Sequence, residues 1–404
     1  MNKLNGLDRG RFPLGLKIAF FLRQHPKLDK AKKIFARTMR TARKLLVGLA
    51  RKLGNGFVRF GPPSGIYSDF DLLVGGAKDG RIIIKDQGFP NLPSGSLVEC
   101  SKLGQHKEQP YPIFWRKLRN VHLVSPSLVH LNDKKQISRE AAYGRHANLD
   151  TAYNYIRLPR AVTLVGPWTS LVSMRMKSTA RITYAHWLLD ALPRLSLVSE
   201  FPENCKILVP FAPSSFKQQS LQLLGLEQRC RPTSERHLII DEFYFSSPTS
   251  QIVCWNPYAI NFLRDKFLPF SESKPDLPKR FYNVRKGFLR GAANEDEVID
   301  LFKNLGWTIV DTAQFSFRDQ ISLFSNAEAI CGIHGAGFAN IVWCRPGCKV
   351  IELCSENYLS GCYELIALYN RLDYHFMIAP ENYAVEAVID LEKLRSILKS
   401  INLL

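Results

Sequence analysis

The stretch EAICGIHGAGFANIVWCRPGCKVIEL, Glu328–Leu353, decides how the chain is read. Glu328 to Gly332 is a short apolar run closed by glycine, as expected of a buried strand in an α/β sheet. His334-Gly335-Ala336-Gly337 follows as a tight turn, and Phe338 to Trp343 is apolar enough for one or two helical turns. Arg345-Pro346-Gly347 ends that segment, and Lys349 to Leu353 predicts the next buried strand, with Glu352 at its end. Glycines at such a turn let backbone N–H groups approach an anion, and a helix N-terminus adds partial positive charge. A diphosphate suits that environment, and a carboxylate at Glu352 could accept hydrogen bonds from a ribose diol. The same glycines could equally serve only to make a tight strand-to-helix turn. A lipase-type oxyanion loop is excluded, because no G-x-S-x-G elbow occurs anywhere and only about 70 residues follow His334.

Outward from this stretch the pattern repeats. Arg280 to Val284 and Trp307 to Val310 predict strands, and Arg318 to Ser325 a helix. Arg285 then falls at a strand end and Arg290 in the loop beyond it, while Asn294 is placed to cap a helix whose first turn holds Glu295, Asp296 and Glu297. Ligands of such sheets bind outside the carboxyl ends of the strands, and Arg285, His334 and Glu352 converge there from three strands. Guanidinium groups meet phosphates bidentately, so Arg285 and Arg290 suit a pyrophosphate, with surface salt bridging as the alternative for each.

Further upstream, Lys206–Pro210 and His237–Phe245 predict strands that alternate with helices over Ser214–Leu224 and Asn256–Phe267, which implies a parallel sheet. Pro269 to Pro278 reads as the linker between two domains. Within TYAHWLLDALPRLSLVSE, Thr183–Glu200, the residues His186, Asp190 and Arg194 would stack along one helix face, with a kink at Pro193. His186 and Asp190 at i and i+4 could be a base and its orienting acid, or a plain surface salt link. Residues 61 to 172 carry strand signals, including a hairpin at Asp79-Gly80. Asp69-Phe70-Asp71 has the form of a metal-binding triplet but lacks the surrounding βαβ pattern, so a turn or strand-edge pair of acids is the expectation.

The net charge is +19, and residues 1–60 hold sixteen Lys/Arg against Asp8 and Asp29. This segment therefore points to an acidic partner surface: an anionic membrane first, with solvated helical packing or nucleic acid as alternatives. No apolar run approaches the ~20 residues of a spanning helix, and no signal peptide is evident, so neither a membrane span nor a secretory anchor is expected. The nine cysteines form no C-x-x-C pair and read as buried free thiols in a reducing compartment.

Three segments in order, AHWLLDALPRL (185–195), VRKGFLRGAANEDEV (284–298) and CGIHGAGFANIVWCRPGCKVIEL (331–353), resemble glycosyltransferase family 61 over roughly residues 180 to 375. Val284 and Phe338 depart from the serine and leucine usual in that family. The resemblance implies a GT-B-like α/β architecture, with two Rossmann-like domains facing a cleft. It also implies inverting, metal-independent transfer from a nucleotide-diphosphate sugar, such as a UDP-sugar, with no other cofactor. Its donor-binding residues would be Arg285, Arg290, Asn294, His334, Gly335, Ala336, Gly337, Asn340 and Glu352, and its catalytic residues His186 and Asp190. The expected organisation is a basic segment 1–60, an acceptor-side domain 61–270, a donor domain 279–385 and a closing helix 386–404. Cleft closure would then bring the base of one domain to the donor of the other. The expected setting is surface polysaccharide synthesis, capsule or lipopolysaccharide, on a glycan or lipid-linked acceptor. The enzyme would be cytoplasmic and peripheral on the inner face of the cell membrane. The competing reading is a non-catalytic basic protein that binds membrane or nucleic acid through a degenerate nucleotide fold.

Overall fold

The computed structural model describes residues 57–59, 65–84, 94–100, 112–124, 129–131, 136–138, 157–159, 161–172, 183–210, 215–235, 237–249, 255–285, 291–382 and 386–404. The basic segment as far as residue 56, the loop 102–110 and Arg290 lie outside the described residues. The chain divides into one unit of Met1–Phe60 with Tyr155–Arg157 and another of Gly61–Asn154 with Leu158–Leu404. Both large sheets belong to the second unit. Strands β1 (Phe57–Arg59) and β7 (Arg157–Pro159) form a separate two-stranded sheet.

The first large sheet is mixed. It contains β2 (Gly65–Tyr67), β3 (Gly80–Ile84), β4 (Ile113–Val124), β5 (Val129–Leu131), β6 (Gln136–Ser138), β8 (Val162–Ser170), β9 (Lys206–Pro210), β10 (Cys230–Thr233) and β11 (His237–Ser246). Their order is β10-β9-β8-β11-β4-β5-β6-β2, with β3 also on β4. The first four pair in parallel, as the alternation of strand and helix predicts. The 12-residue β4 then pairs antiparallel with β11. Asp79-Gly80 does not turn a local hairpin: β3 pairs with Ile113–Arg116 across a long excursion, and a helix, Asp69–Val74, precedes it. Asp69 and Asp71 lie in the first turn of that helix rather than at a strand edge. Ser68 caps it by accepting from the Asp71 N–H. Asp69 is fully buried, ion-paired to Arg116 at 2.9 Å and bonded by the Ser138 hydroxyl at 2.6 Å. Its triplet is therefore tied into the fold.

The second sheet is wholly parallel, as the buried apolar runs predict. Its strands are β12 (Arg280–Asn283), β13 (Thr308–Val310), β14 (Ala329–Ile333), β15 (Lys349–Ser355) and β16 (Asp373–Ala379), ordered β13-β12-β14-β15-β16. Alternation along each strand feeds two cores. Phe281, Ile330 and Val350 face one side with Phe317, Phe324 and Phe338. Tyr282, Cys331 and Ile351 face the other with Phe302, Leu394 and Leu398. The helix Glu295–Asn304 and the closing helix Leu391–Ser400 thus cover one face, and the helices Phe317–Ser325 and Cys362–Tyr369 the other. The chain order reverses between β12 and β14, which is where doubly wound sheets open a crevice for ligands.

The two sheets share one hydrophobic cluster. It runs from Phe243, Leu208 and Leu188 through Phe267 and Trp343 to Phe281 and Ile330. The linker expected at 269–278 lies along the helix Phe317–Ser325: the Glu272 N–H bonds the Ser322 hydroxyl, and Arg318 pairs with Glu272 at 2.8 Å. Cys205, Cys230, Cys331, Cys344, Cys348, Cys354 and Cys362 are free thiols, and all but the partly exposed Cys230 are buried. Burial pushes the thiols of Cys205 and Cys230 up to about 11 and about 12.

Candidate active site

The glycine turn stands at the carboxyl end of β14. His334 carries its N–H to the Leu353 carbonyl of β15 at 2.9 Å, which fixes where its side chain starts. The imidazole Nδ1 is hydrogen-bonded to Glu352 Oε1. Glu352 lies inside β15, opposite Gly332, rather than at the strand end, because β15 runs on to Ser355. Its carboxylate is 1% exposed, and its second oxygen accepts from the Tyr374 hydroxyl of β16. Burial, with the Glu352 charge adding to it, pushes the Tyr374 phenol well up, so it remains a donor. In this arrangement Glu352 orients His334.

His334, Glu352 and Cys354 also bring their ligand atoms within 4.8 Å of one another. A soft metal ion there would have to displace protons, since burial pushes the Cys354 thiol far up, and Glu352 adds to it.

Arg285 follows β12 at its carboxyl end. Its backbone N–H donates to the buried Glu295 carboxylate at 2.7 Å, which also accepts from the Tyr282 hydroxyl at 3.2 Å. Glu295 therefore shapes the loop that presents Arg285 as well as starting a helix. The guanidinium lies against the glycine turn, so close that a Cβ on Gly335 would fall 1.5 Å from Nη1. Gly337 is enclosed too, with a Cβ there meeting Thr312 Oγ1 at 2.9 Å. Ala336 opens the 3-10 helix Ala336–Trp343, whose first N–H groups lack intrahelical acceptors. The turn thus supplies a guanidinium, an imidazole and helix-start N–H groups at one strand end.

Asn294 does not cap its helix through its side chain. Its amide donates to the Ile389 carbonyl and accepts from the Ile389 N–H, both at 2.9 Å. Asn340 is fully buried and uses its whole amide. Oδ1 accepts from the Tyr184 hydroxyl at 2.6 Å and the Trp343 indole at 3.0 Å, and Nδ2 donates to Gln320 at 2.8 Å and the Gly337 carbonyl at 3.1 Å. Both asparagines hold segments of the chain in place.

The second histidine lies in the crossover between β8 and β9. Tyr184–Glu200 is helical, but its winding changes: an α turn at Tyr184–His186, a wide π turn at Trp187–Ala191, then a 3-10 helix at Leu192–Glu200. Pro193 offers no N–H, and the switch in winding occurs beside it. His186 and Asp190 meet as their spacing predicts, Nδ1 to Oδ2 at 2.6 Å. Arg194 leaves the row and bonds Ser246 on β11. Asp190 is 2% exposed and accepts the Trp255 indole N–H at 2.9 Å on its other oxygen. A buried carboxylate on Nδ1 selects the tautomer whose lone pair is on Nε2, the form of a general base.

Aromatic rings connect the two histidines. Trp255 lies 5.7 Å from Tyr363, and Tyr363 lies 5.1 Å from His334. Tyr363 also donates its hydroxyl to the Gly335 carbonyl at 2.6 Å. Tyr358 is 44% exposed and reaches His334 at 5.2 Å. Sequence reasoning missed Trp255, Tyr363 and Tyr374, whose composition signal is that of ordinary core. The available hint was position: Tyr363 directly follows the loop beyond β15, on the strand edge already expected to bind.

The model of the family Glycosyltransferase 61 matches residues 184–351. These residues form a glycosyltransferase family 61 domain. The chain is also similar to a beta-1,2-xylosyltransferase of Arabidopsis thaliana, 35% identical over 89 residues, which are 22% of this chain and 16% of that protein. A beta-1,2-xylosyltransferase of Oryza sativa subsp. japonica is 31% identical over 114 residues, 28% of this chain and 20% of the relative. The aligned stretches thus span a fifth or less of these relatives' own length. The family 61 domain starts at Tyr184, the residue that bonds Asn340, and contains His186, Asp190, Arg285 and the glycine turn. Glu352 follows directly after its last matched residue. Among the described residues, no helix is long and apolar enough to cross a membrane.

Proposed function

We propose that this chain is an inverting, metal-independent glycosyltransferase of GT-B type that moves a hexose or pentose from a nucleotide-diphosphate sugar, such as a UDP-sugar, to a glycan or glycolipid hydroxyl. The observation that carries the reading is the joining of Arg285, the His334 turn and the His186–Asp190 pair, through Trp255 and Tyr363, at the carboxyl edge of the parallel sheet. In this mechanism the acceptor hydroxyl gives its proton to His186 Nε2 as its oxygen attacks the anomeric carbon. Asp190 holds the imidazole and stabilises the imidazolium that forms. The bond to the diphosphate breaks on the opposite face. Arg285, His334 and the N–H groups at Ala336 and Gly337 meet the charge that develops on the leaving oxygens. Glu352 acts through His334.

Thermal stabilisation by a panel of nucleoside diphosphates and their sugars, UDP-xylose included because the similar plant proteins are xylosyltransferases, tests the reading. Binding to the native state raises Tm by mass action. The expected result is a selective shift with one nucleotide, unchanged by EDTA and lost in Arg285→Ala. A shift abolished by EDTA would favour a metal on His334, Glu352 and Cys354. No shift with any nucleotide would sink the proposal.

We place the enzyme in surface polysaccharide synthesis at the inner face of the cell membrane. The concentration of sixteen Lys/Arg in residues 1–60 supports an anionic surface as partner. Flotation with anionic but not neutral vesicles is the expected outcome, and failure to float with either would remove the membrane from the account.

A further inference from the structure

Tyr184 stands two residues before His186, on the crossover of the first sheet, and its ring packs between Phe216 and Phe317 at 5.2 and 6.4 Å. Its hydroxyl bonds Asn340, inside the helix that begins at the glycine turn. Asn340 in turn holds the Gly337 carbonyl. One phenol therefore links the start of the base-bearing helix to the backbone of the turn. Burial pushes that phenol far up, so it remains a hydrogen-bond donor at any working pH.

Bonds from neighbouring elements support the same arrangement. Arg264, on the helix Pro257–Phe267 beside the dyad, donates to the Val342 and Cys344 carbonyls at 2.6 and 2.8 Å, closing the far end of the helix Ala336–Trp343. Gln219 accepts the Phe317 N–H at 2.6 Å at the start of the helix Phe317–Ser325. Trp255 holds Asp190 and rests on Tyr363, whose hydroxyl binds Gly335. The apolar contacts around these bonds belong to the single cluster shared by both sheets.

We propose that the His186–Asp190 pair and the glycine turn form one pre-assembled body, and that Tyr184 is the positioning residue that sets the base relative to the donor turn. This rests on the transferase reading and replaces the expected closure between base and donor site with a fixed spacing. Whatever movement accompanies substrate entry then belongs to segments outside this body. A buried network of this kind has two arrangements, made or broken, rather than a continuous range, because packed interiors yield little. Removing the hydroxyl alone leaves the ring packing and the Trp343–Asn340 bond. Asn340 loses one partner, and the turn loses its tie to the base.

Tyr184→Phe is the test, read in two ways. In the protein without ligand, amide hydrogen exchange is expected to accelerate in both 184–191 and 336–343. Acceleration confined to 184–191 would overturn the proposal whether or not any nucleotide binds. In the transfer reaction, kcat is expected to fall by roughly 10- to 100-fold, the scale of a ~1 Å misplacement, with the nucleotide affinity of the wild type retained. An unchanged kcat, or a parallel loss of nucleotide affinity, would overturn it. Failure of the wild-type protein to bind any nucleoside diphosphate would instead count against the parent reading, and the exchange result would remain interpretable without it.

Discussion

Gly335→Ala is expected to weaken nucleotide binding sharply while leaving the protein folded. The new Cβ would sit 1.5 Å from Arg285 Nη1 and 2.6 Å from Cζ. Gly335 itself is in extended backbone, φ −178° and ψ 175°, so alanine meets no conformational penalty there. The atom it strikes is the far end of a flexible side chain, and that side chain can swing away at small cost to stability. It would then leave the position from which it is proposed to meet the diphosphate. A lost guanidinium–phosphate contact in a water-poor site is worth on the order of 2–4 kcal/mol in the transition state, or about 30- to 1000-fold in rate. The measurement is isothermal titration with the nucleotide that the thermal panel selects, alongside a melting curve. Retained affinity in the variant would mean that Arg285 does not hold the diphosphate from this position. A large fall in Tm would mean that the alanine was accommodated by moving backbone instead.

Replacing either member of the His186–Asp190 pair should separate chemistry from binding. His186→Ala removes the proposed proton acceptor, and kcat is expected to fall by about 10²- to 10⁴-fold with donor affinity retained. Asp190→Asn is the more discriminating variant. The amide keeps the shape and can still accept from the Trp255 indole, but it no longer offers a carboxylate to Nδ1. The imidazole loses the partner that selects its tautomer, so a comparable fall is expected with little change in stability. Near-normal turnover in His186→Ala would transfer the role of base to another group. A loss in Asp190→Asn without one in His186→Ala would make Asp190 a structural acid that organises Trp255.

The parts legible in the sequence share a physical cause. Parallel strands buried on both faces are unbroken apolar runs, so Glu328–Gly332 and Lys349–Leu353 pointed to β14 and β15 within a residue or two. The His186–Asp190 contact followed from helical spacing, which a single wide turn did not disturb. What escaped depends on distant chain. The strand β4 carries Arg116, Lys117 and Arg119 among its apolar residues and owes its place to β11, more than 100 residues on. Asn294 looked like a cap because local preference favours asparagine there, yet its amide closes on Ile389, 95 residues away. The run of large aliphatic residues stops at Leu353 and so suggests a strand end at Glu352, while the hydrogen-bond ladder continues to Ser355. The aromatic link between the histidines involves Trp255 and Tyr363, which no local pattern distinguishes from packing.

The Trp255 indole makes this site self-reporting. Its N–H rests on the carboxylate that orients His186, and its ring overlies the tyrosine that holds the glycine turn. The negative charge at the pyrrole end and the buried ring surface set the energy of its excited state. A change in either the dyad's proton or the turn's geometry therefore alters its emission. The protein carries a native optical probe at the junction of its proposed base and donor sites.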